Sequence, residues 1–193
     1  MVSSFSSVLR RIAALVPHKC LEVPLVRQGT DYSCGTAAVE MILQYYGLDS
    51  QSSKLVKELD TDKSGTEIES IRKAFIDRGF KIFEKQMATI DDIRKCIDLD
   101  LPVVLTLQAW PDEPKPGWEE GFSNGHYVVA IGYGDDFLVF ADPSSIRMDY
   151  LTQEDLMKRW HDVGKSPTEK VIQWMLVPHG KRPLHPDKIV PMK

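Results

Sequence analysis

Gly125-His126-Tyr127-Val128-Val129-Ala130-Ile131-Gly132-Tyr133-Gly134-Asp135-Asp136-Phe137-Leu138-Val139-Phe140-Ala141-Asp142 is the stretch whose reading decides the fold. β-branched and aromatic residues fill two runs, and Gly134-Asp135-Asp136 between them is a hairpin signal. The pattern predicts antiparallel strands over 127–133 and 137–141. A three-residue loop sets Tyr133 opposite Phe137, so that Val128 faces Asp142 and His126 is its diagonal neighbour on the same face. A two-residue loop shifts the pairing by one and sends His126 and Asp142 to opposite faces. With the longer loop, a carboxylate can orient an imidazole and stabilise its charged form.

Working outward, 102–107 and 170–177 are further strand-forming runs, 80–83 suggests a short strand, and 22–27 reads as a short edge strand. The helices gather in the first half. Asp31 or Ser33 can cap a helix running to about Tyr46, with Ala38, Met41, Ile42 and Tyr45 on its apolar face and Gly47 behind it. A short helix is predicted over 51–59. Thr66 and Glu69 have the spacing of a capping box for a third helix, with Ile68, Ile71, Ala74 and Phe75 turned inward. Ile90, Ile93 and Ile97 mark a fourth, where Cys96 reads as a small, partly buried hydrophobe, and 152–160 is a last helix. Helices first and antiparallel strands later form an α+β pattern.

A chain of 193 residues, 42% hydrophobic and 27% charged, supports one domain with a sizeable core. A net charge of −4 supplies no basic field for nucleic acid, and no apolar run approaches a membrane span. Three cysteines, Cys20, Cys34 and Cys96, exclude a disulfide framework and fit a reducing compartment, so a cytoplasmic location is expected. No CxxC pair supports a zinc site, and no metal or other cofactor is expected.

Cys34 opens the first predicted helix. Unpaired backbone amides and the positive end of the helix dipole favour a thiolate there. Gly35 leaves room for a substrate backbone to approach. Gln28, six residues before the thiol, carries an amide that can donate to an oxyanion beside the Cys34 backbone N–H. Taken singly, Cys34 also fits a buried small residue and Gln28 a surface one; the His126–Asp142 hairpin shifts the balance toward nucleophilic chemistry.

Together these residues resemble the C39 family of papain-like cysteine peptidases and its C39-like relatives. The matching stretches are Gln28-Gly-Thr-Asp-Tyr-Ser-Cys34-Gly35, Gly125-His126-Tyr127-Val128-Val129-Ala130-Ile131-Gly132-Tyr133 and Ala141-Asp142-Pro143, followed by the helix ending near Trp160. The resemblance covers roughly 22–177 and implies a papain-like fold, with helices bearing the nucleophile packed on an antiparallel sheet bearing His and Asp. By that likeness Cys34 is the nucleophile, His126 the general base and then acid, Asp142 its orienting partner and Gln28 an oxyanion donor, with a thioacyl-enzyme intermediate.

The departures bear on substrate. Well-known C39 domains are fused to ABC transporters and cleave leader peptides after a double glycine. This chain has no GxxxxGK[ST] pattern, so no ATPase domain is expected, and the double-glycine preference does not carry over. The expected activity is a stand-alone cysteine peptidase acting on a peptide or protein; acyl transfer by the same triad and a non-catalytic peptide-binding module are the alternatives. The acidic, proline-rich stretch 110–124 reads either as a wall of the substrate groove or as a surface insertion. Trp110 and Trp118 of this stretch, Gly35 beside the thiol and Gly125 beside the imidazole are the candidate substrate contacts. Three segments are expected: a basic one over 1–21 whose spacing fits an amphipathic helix ending before Pro17, read first as a helix docked on the domain, then as an organelle-targeting presequence or a membrane-surface helix; the peptidase domain over 22–177; and a proline-rich basic tail over 178–193, extended and loosely held. The sequence does not give an oligomeric state.

Overall fold

In the computed structural model, which describes residues 16–113, 115–166 and 168–184, the chain runs β1 (Lys19–Cys20), α1 (Cys34–Tyr45), α2 (Ser52–Glu58), α3 (Ile68–Asp77), β2 (Lys81–Lys85), α4 (Ile90–Asp98) and β3 (Val103–Gln108). A 3₁₀ turn at Trp118–Glu120 leads to β4 (Gly125–Tyr133), β5 (Phe137–Ala141), β6 (Met148–Thr152), α5 (Gln153–Arg159), β7 (His161–Val163), β8 (Lys170–Ile172) and β9 (Met175–His179). The main sheet is antiparallel in the order β2-β9-β3-β4-β5-β6, and β1 extends it by pairing with the end of β4 that β3 leaves free. β7 and β8 form a separate two-stranded ribbon. This is the expected α+β architecture.

The decisive hairpin forms with a different register at its turn. Tyr133 pairs with Leu138, not Phe137, which is the shorter-loop register that separates His126 from Asp142. A bulge between Ala130 and Gly132 restores the pairing, so that Ala130 faces Phe140 and Val129 faces Ala141. The extra residue on β4 returns His126 and Asp142 to one face. Gly132, beside the bulge, has no room for a side chain, because a Cβ there would lie 2.8 Å from the Lys19 carbonyl oxygen.

α1 is the central helix. Every residue in it except Gln44 is buried, as a run of Ala, Val, Met, Ile and Leu around the whole cylinder requires. Gly47 ends it with φ 68°, and the Leu48 amide returns to the Leu43 carbonyl. β3 is buried at every position, with α4, α5 and β7 packed near it. Trp160 and Trp174 are the largest fully buried side chains, and the Trp160 indole N–H donates to the Trp174 carbonyl at 2.9 Å.

Other expectations are corrected. No strand forms over 22–27: Pro24 lacks an amide donor, the Val23 amide turns back to Leu21, and the ladder lies earlier, at β1. Thr66 and Glu69 do not form a capping box. α3 starts at Ile68 with Glu67 as its N-cap, and the buried Thr66 hydroxyl instead meets Thr61, which meets Thr36 of α1, each at 2.8 Å. A capping box does form at Thr89 and Asp92 of α4. The run 170–177 is divided by Gln173 (φ 47°) into β8 and β9. The described part of the tail is held, since Pro178 and His179 pair with β2 and the Leu184 amide donates to the Tyr45 carbonyl at 2.8 Å. The amphipathic helix expected before Pro17 lies mostly outside the described residues, as does the tail beyond 184.

Candidate active site

Cys34 is the first residue of α1, and its side chain is buried. The residue before it, Ser33, does not cap the helix. Its hydroxyl is spent on Thr30, accepting from the amide at 3.0 Å and donating to the carbonyl at 3.2 Å. The first amides of α1 therefore keep their capacity to bind an anion, at the positive end of a twelve-residue helix.

His126 faces this helix start from β4. Its Nε2 lies 2.7 Å from Oδ1 of Asp142, which follows the last residue of β5. Both residues are buried. With Nε2 committed to the carboxylate, Nδ1 is the ring nitrogen left for the thiol. Asp142 is held by more than the imidazole. The Ser144 amide donates to Oδ1 at 2.7 Å, and the Trp110 indole N–H donates to Oδ2 at 3.3 Å.

The ionisation states follow from these contacts. Burial pushes the Cys34 thiol up, but the hydrogen bond and positive charge of His126, with backbone donation from Tyr127 and Gly35, outweigh it and leave the thiol below its ordinary value. Burial pushes His126 down, but Asp142 and the Cys34 thiolate overcome that and raise it to about 9. Burial also penalises the Asp142 carboxylate, yet its bond to His126 and the Ser144 donors hold it below the usual carboxylate range. A lowered thiol beside a raised imidazole favours the ion pair of thiolate and imidazolium over the neutral pair. Cys20 and Cys96 move the opposite way, because burial raises both and no cation compensates.

The Cys34 side opens into a groove of about 640 Å³, walled by Tyr127, Trp174 and Phe122 with Gly125 and Asp162. Of the four expected substrate contacts, only Gly125 lines it. The space at Gly35 is already filled: a Cβ there would lie 2.7 Å from Thr66 Cβ and 3.1 Å from Tyr127 Cδ2, so the glycine lets α1 pack against those residues. Trp110 and Trp118 stand behind Asp142, not in the groove. The Arg159 guanidinium stacks over both rings, at 5.2 and 4.9 Å. Gln28 borders a second cavity of about 230 Å³ that shares Tyr32 with the groove. Its Nε2 gives one proton to the Thr30 carbonyl at 2.7 Å, which fixes the amide, and the second N–H is free to serve another acceptor. Its own backbone amide donates to Pro143, next to Asp142.

Sequence reasoning missed Ser144, the Trp110 indole and Asp162. The first had a usable signal, since an Asp–Pro–Ser turn offers the Asp side chain the amide two residues on. The other two reach the site from distant elements with no local motif.

A helix-borne thiol against a sheet-borne imidazole and carboxylate, on an α+β frame, is the arrangement of the papain-like cysteine peptidases. The chain belongs to the peptidase C39 family, whose model matches residues 22–165. It is similar to the lactococcin-G-processing and transport ATP-binding protein LagD of Lactococcus lactis subsp. lactis, with 26% identity over 146 residues. That match takes in 76% of this chain but only 19% of LagD. Among solved structures it resembles the peptidase domain of ComA from Streptococcus, a bi-functional ABC transporter involved in a quorum sensing pathway (TM-score 0.60, 21% identity, 82% of this chain and 100% of that one). It also resembles a putative C39-like peptidase from Bacillus anthracis (TM-score 0.64, 18% identity, 85% of this chain and 98% of that one). Among the described residues no helix is long and apolar enough to cross a membrane.

Proposed function

We propose that this chain is a cysteine peptidase hydrolysing peptide or isopeptide bonds, with 22–177 as its catalytic unit. The observation that carries the reading is the placement of His126 between the uncapped, thiol-bearing start of α1 and the buried Asp142, at 2.7 Å from its carboxylate.

The Cys34 thiolate adds to the scissile carbonyl carbon. The resulting oxyanion takes hydrogen bonds from the Cys34 backbone N–H and the free N–H of Gln28. The His126 imidazolium gives its Nδ1 proton to the leaving amine, the C–N bond breaks and a thioester remains on Cys34. A water then loses a proton to His126 as its oxygen bonds to the thioester carbon. Collapse expels the thiolate and releases the acid. Asp142 keeps the ring orientation throughout and stabilises its charged form. All three cysteines are free, which supports a reducing compartment such as the cytoplasm.

Profiling with a peptide library, read by mass spectrometry, tests this reading. Cys34→Ala is expected to lose turnover by roughly 10³-fold or more while still binding peptide. Turnover retained in that variant refutes the nucleophile assignment.

A further inference from the structure

We propose that Asp162 makes the inner end of the Cys34 groove a subsite for a cationic side chain, so that preferred substrates carry arginine or lysine within two residues of the scissile bond. The proposal deepens the peptidase reading above and rests on it for turnover, though not for binding.

Asp162 belongs to β7, yet its carboxylate reaches the groove beside the residue that precedes His126. It lies against Gly125, the residue next to His126: a Cβ at Gly125 would come within 2.7 Å of Asp162 Oδ1. Asp162 and Gly125 line the same groove as Cys34. Three donors fix the carboxylate. The Thr106 hydroxyl donates to Oδ2 at 2.6 Å, while the Val163 amide and Gln108 Nε2 donate to Oδ1 at 2.9 and 3.3 Å. A carboxylate has about four acceptor positions, so these leave one uncommitted.

No described Lys or Arg lies within ion-pair distance of Asp162: of the three cations along the groove, Arg72 is held by Glu84 and Glu69, and neither Lys63 nor Lys165 pairs with Asp162. Tying β7 to β3 asks only for hydrogen-bond acceptors. A neutral amide or hydroxyl would supply them without the cost of a partly buried charge. Burial does penalise this carboxylate, raising its proton affinity above the usual range. An incoming ammonium or guanidinium compensates that cost, and the aromatic and aliphatic walls at Tyr127, Trp174 and Val171 suit the methylene stem of either side chain. Carboxylates also outnumber cations along the groove, which favours a basic segment over an acidic one.

The test uses N-acetylated peptides, so that only side chains carry positive charge. Arg, Lys, norleucine or Glu is placed in turn at each position within two residues of the cleaved bond. In the Cys34→Ala protein, fluorescence polarisation is expected to show about tenfold tighter binding of the best Arg or Lys peptide than of its norleucine counterpart. Adding Asp162→Asn, which keeps acceptor capacity, is expected to bring the two peptides to parity while norleucine binding holds. In the active protein the same preference is expected in kcat/KM, carried mainly by KM. Equal binding of cationic and norleucine peptides by Cys34→Ala overturns the proposal, as does a preference that survives Asp162→Asn in a folded protein. Should Asp162→Asn fail to fold, Asp162→Glu decides: a shifted or weakened cation preference is expected, and an unchanged one overturns the proposal. Cationic selectivity in binding without any cleavage by the wild type would sink the peptidase reading and leave the subsite standing.

Discussion

The two sides of the His126–Asp142 pair are built on opposite principles. Behind Asp142 the side chains are packed on one another: Ser144 and the Trp110 indole hold the carboxylate, and the Arg159 guanidinium stacks over Trp110 and Trp118. In front of His126 capacity is kept in reserve. The first amides of α1 have no side-chain cap, and Asp162 keeps an acceptor position with no Lys or Arg paired to it among the described residues. The closed side fixes a charge so that the open side can respond to one. A site satisfied on both sides would be only a stable core. One open on both sides would not hold the imidazole in place.

Damage to the closed side should therefore appear on the open side, without touching substrate. Asp142→Asn is the strongest such break. It is expected to lower kcat by roughly 10²–10⁴-fold with a smaller change in KM. It should also move the alkaline limb of the pH–rate profile down. His126 is raised to about 9 in the intact site, so the imidazolium, and with it activity, persists until pH approaches that value. Without the carboxylate the ring loses its proton closer to its ordinary 6.5. An alkaline limb that stays in place would separate Asp142 from the imidazole's charge. The smaller perturbation is Trp110→Phe, which keeps a ring for Arg159 to stack on but removes the N–H to Asp142. One donor to a charged carboxylate contributes about 1.5 kcal/mol, so a roughly tenfold loss in kcat/KM is expected, with the alkaline limb shifted slightly the same way. A change in peptide preference instead would return Trp110 to the substrate side.

How much of this was legible in the sequence follows the same division. The hairpin and the helix start are contiguous stretches, so period, turn residues and the order Gln28, Cys34, His126 and Asp142 could be read directly. Even there the outcome required two departures that cancel. The turn runs in the register that separates His126 from Asp142, and the bulge after Ala130 brings them back. Bulges depend on how neighbouring strands pack, here on β1 against Gly132, and no local pattern announces them. Thr66 shows the same limit. Its spacing to Glu69 fits a cap, but burial against Thr61 and Gly35 overrides the local preference. The tryptophans do not line the Cys34 groove, which the sequence could not tell, because aromatic residues in a long loop before His126 look equally suited to either side of the pair. Asp162 was invisible because the chain brings it to Gly125 only through the β7–β8 ribbon.

The pairing of thiol and imidazole is the centre of the account, and the pH dependence of alkylation at each cysteine tests it most directly. Iodoacetamide modification of Cys20, Cys34 and Cys96, quantified separately by mass spectrometry from pH 5 to 10, reads the thiolate fraction at each position. Cys34 is expected to react at a lower pH than an ordinary thiol, and Cys20 and Cys96 at a higher one. In His126→Ala the early reactivity of Cys34 should disappear. A Cys34 that titrates with the other two, or keeps its reactivity without His126, would contradict the account.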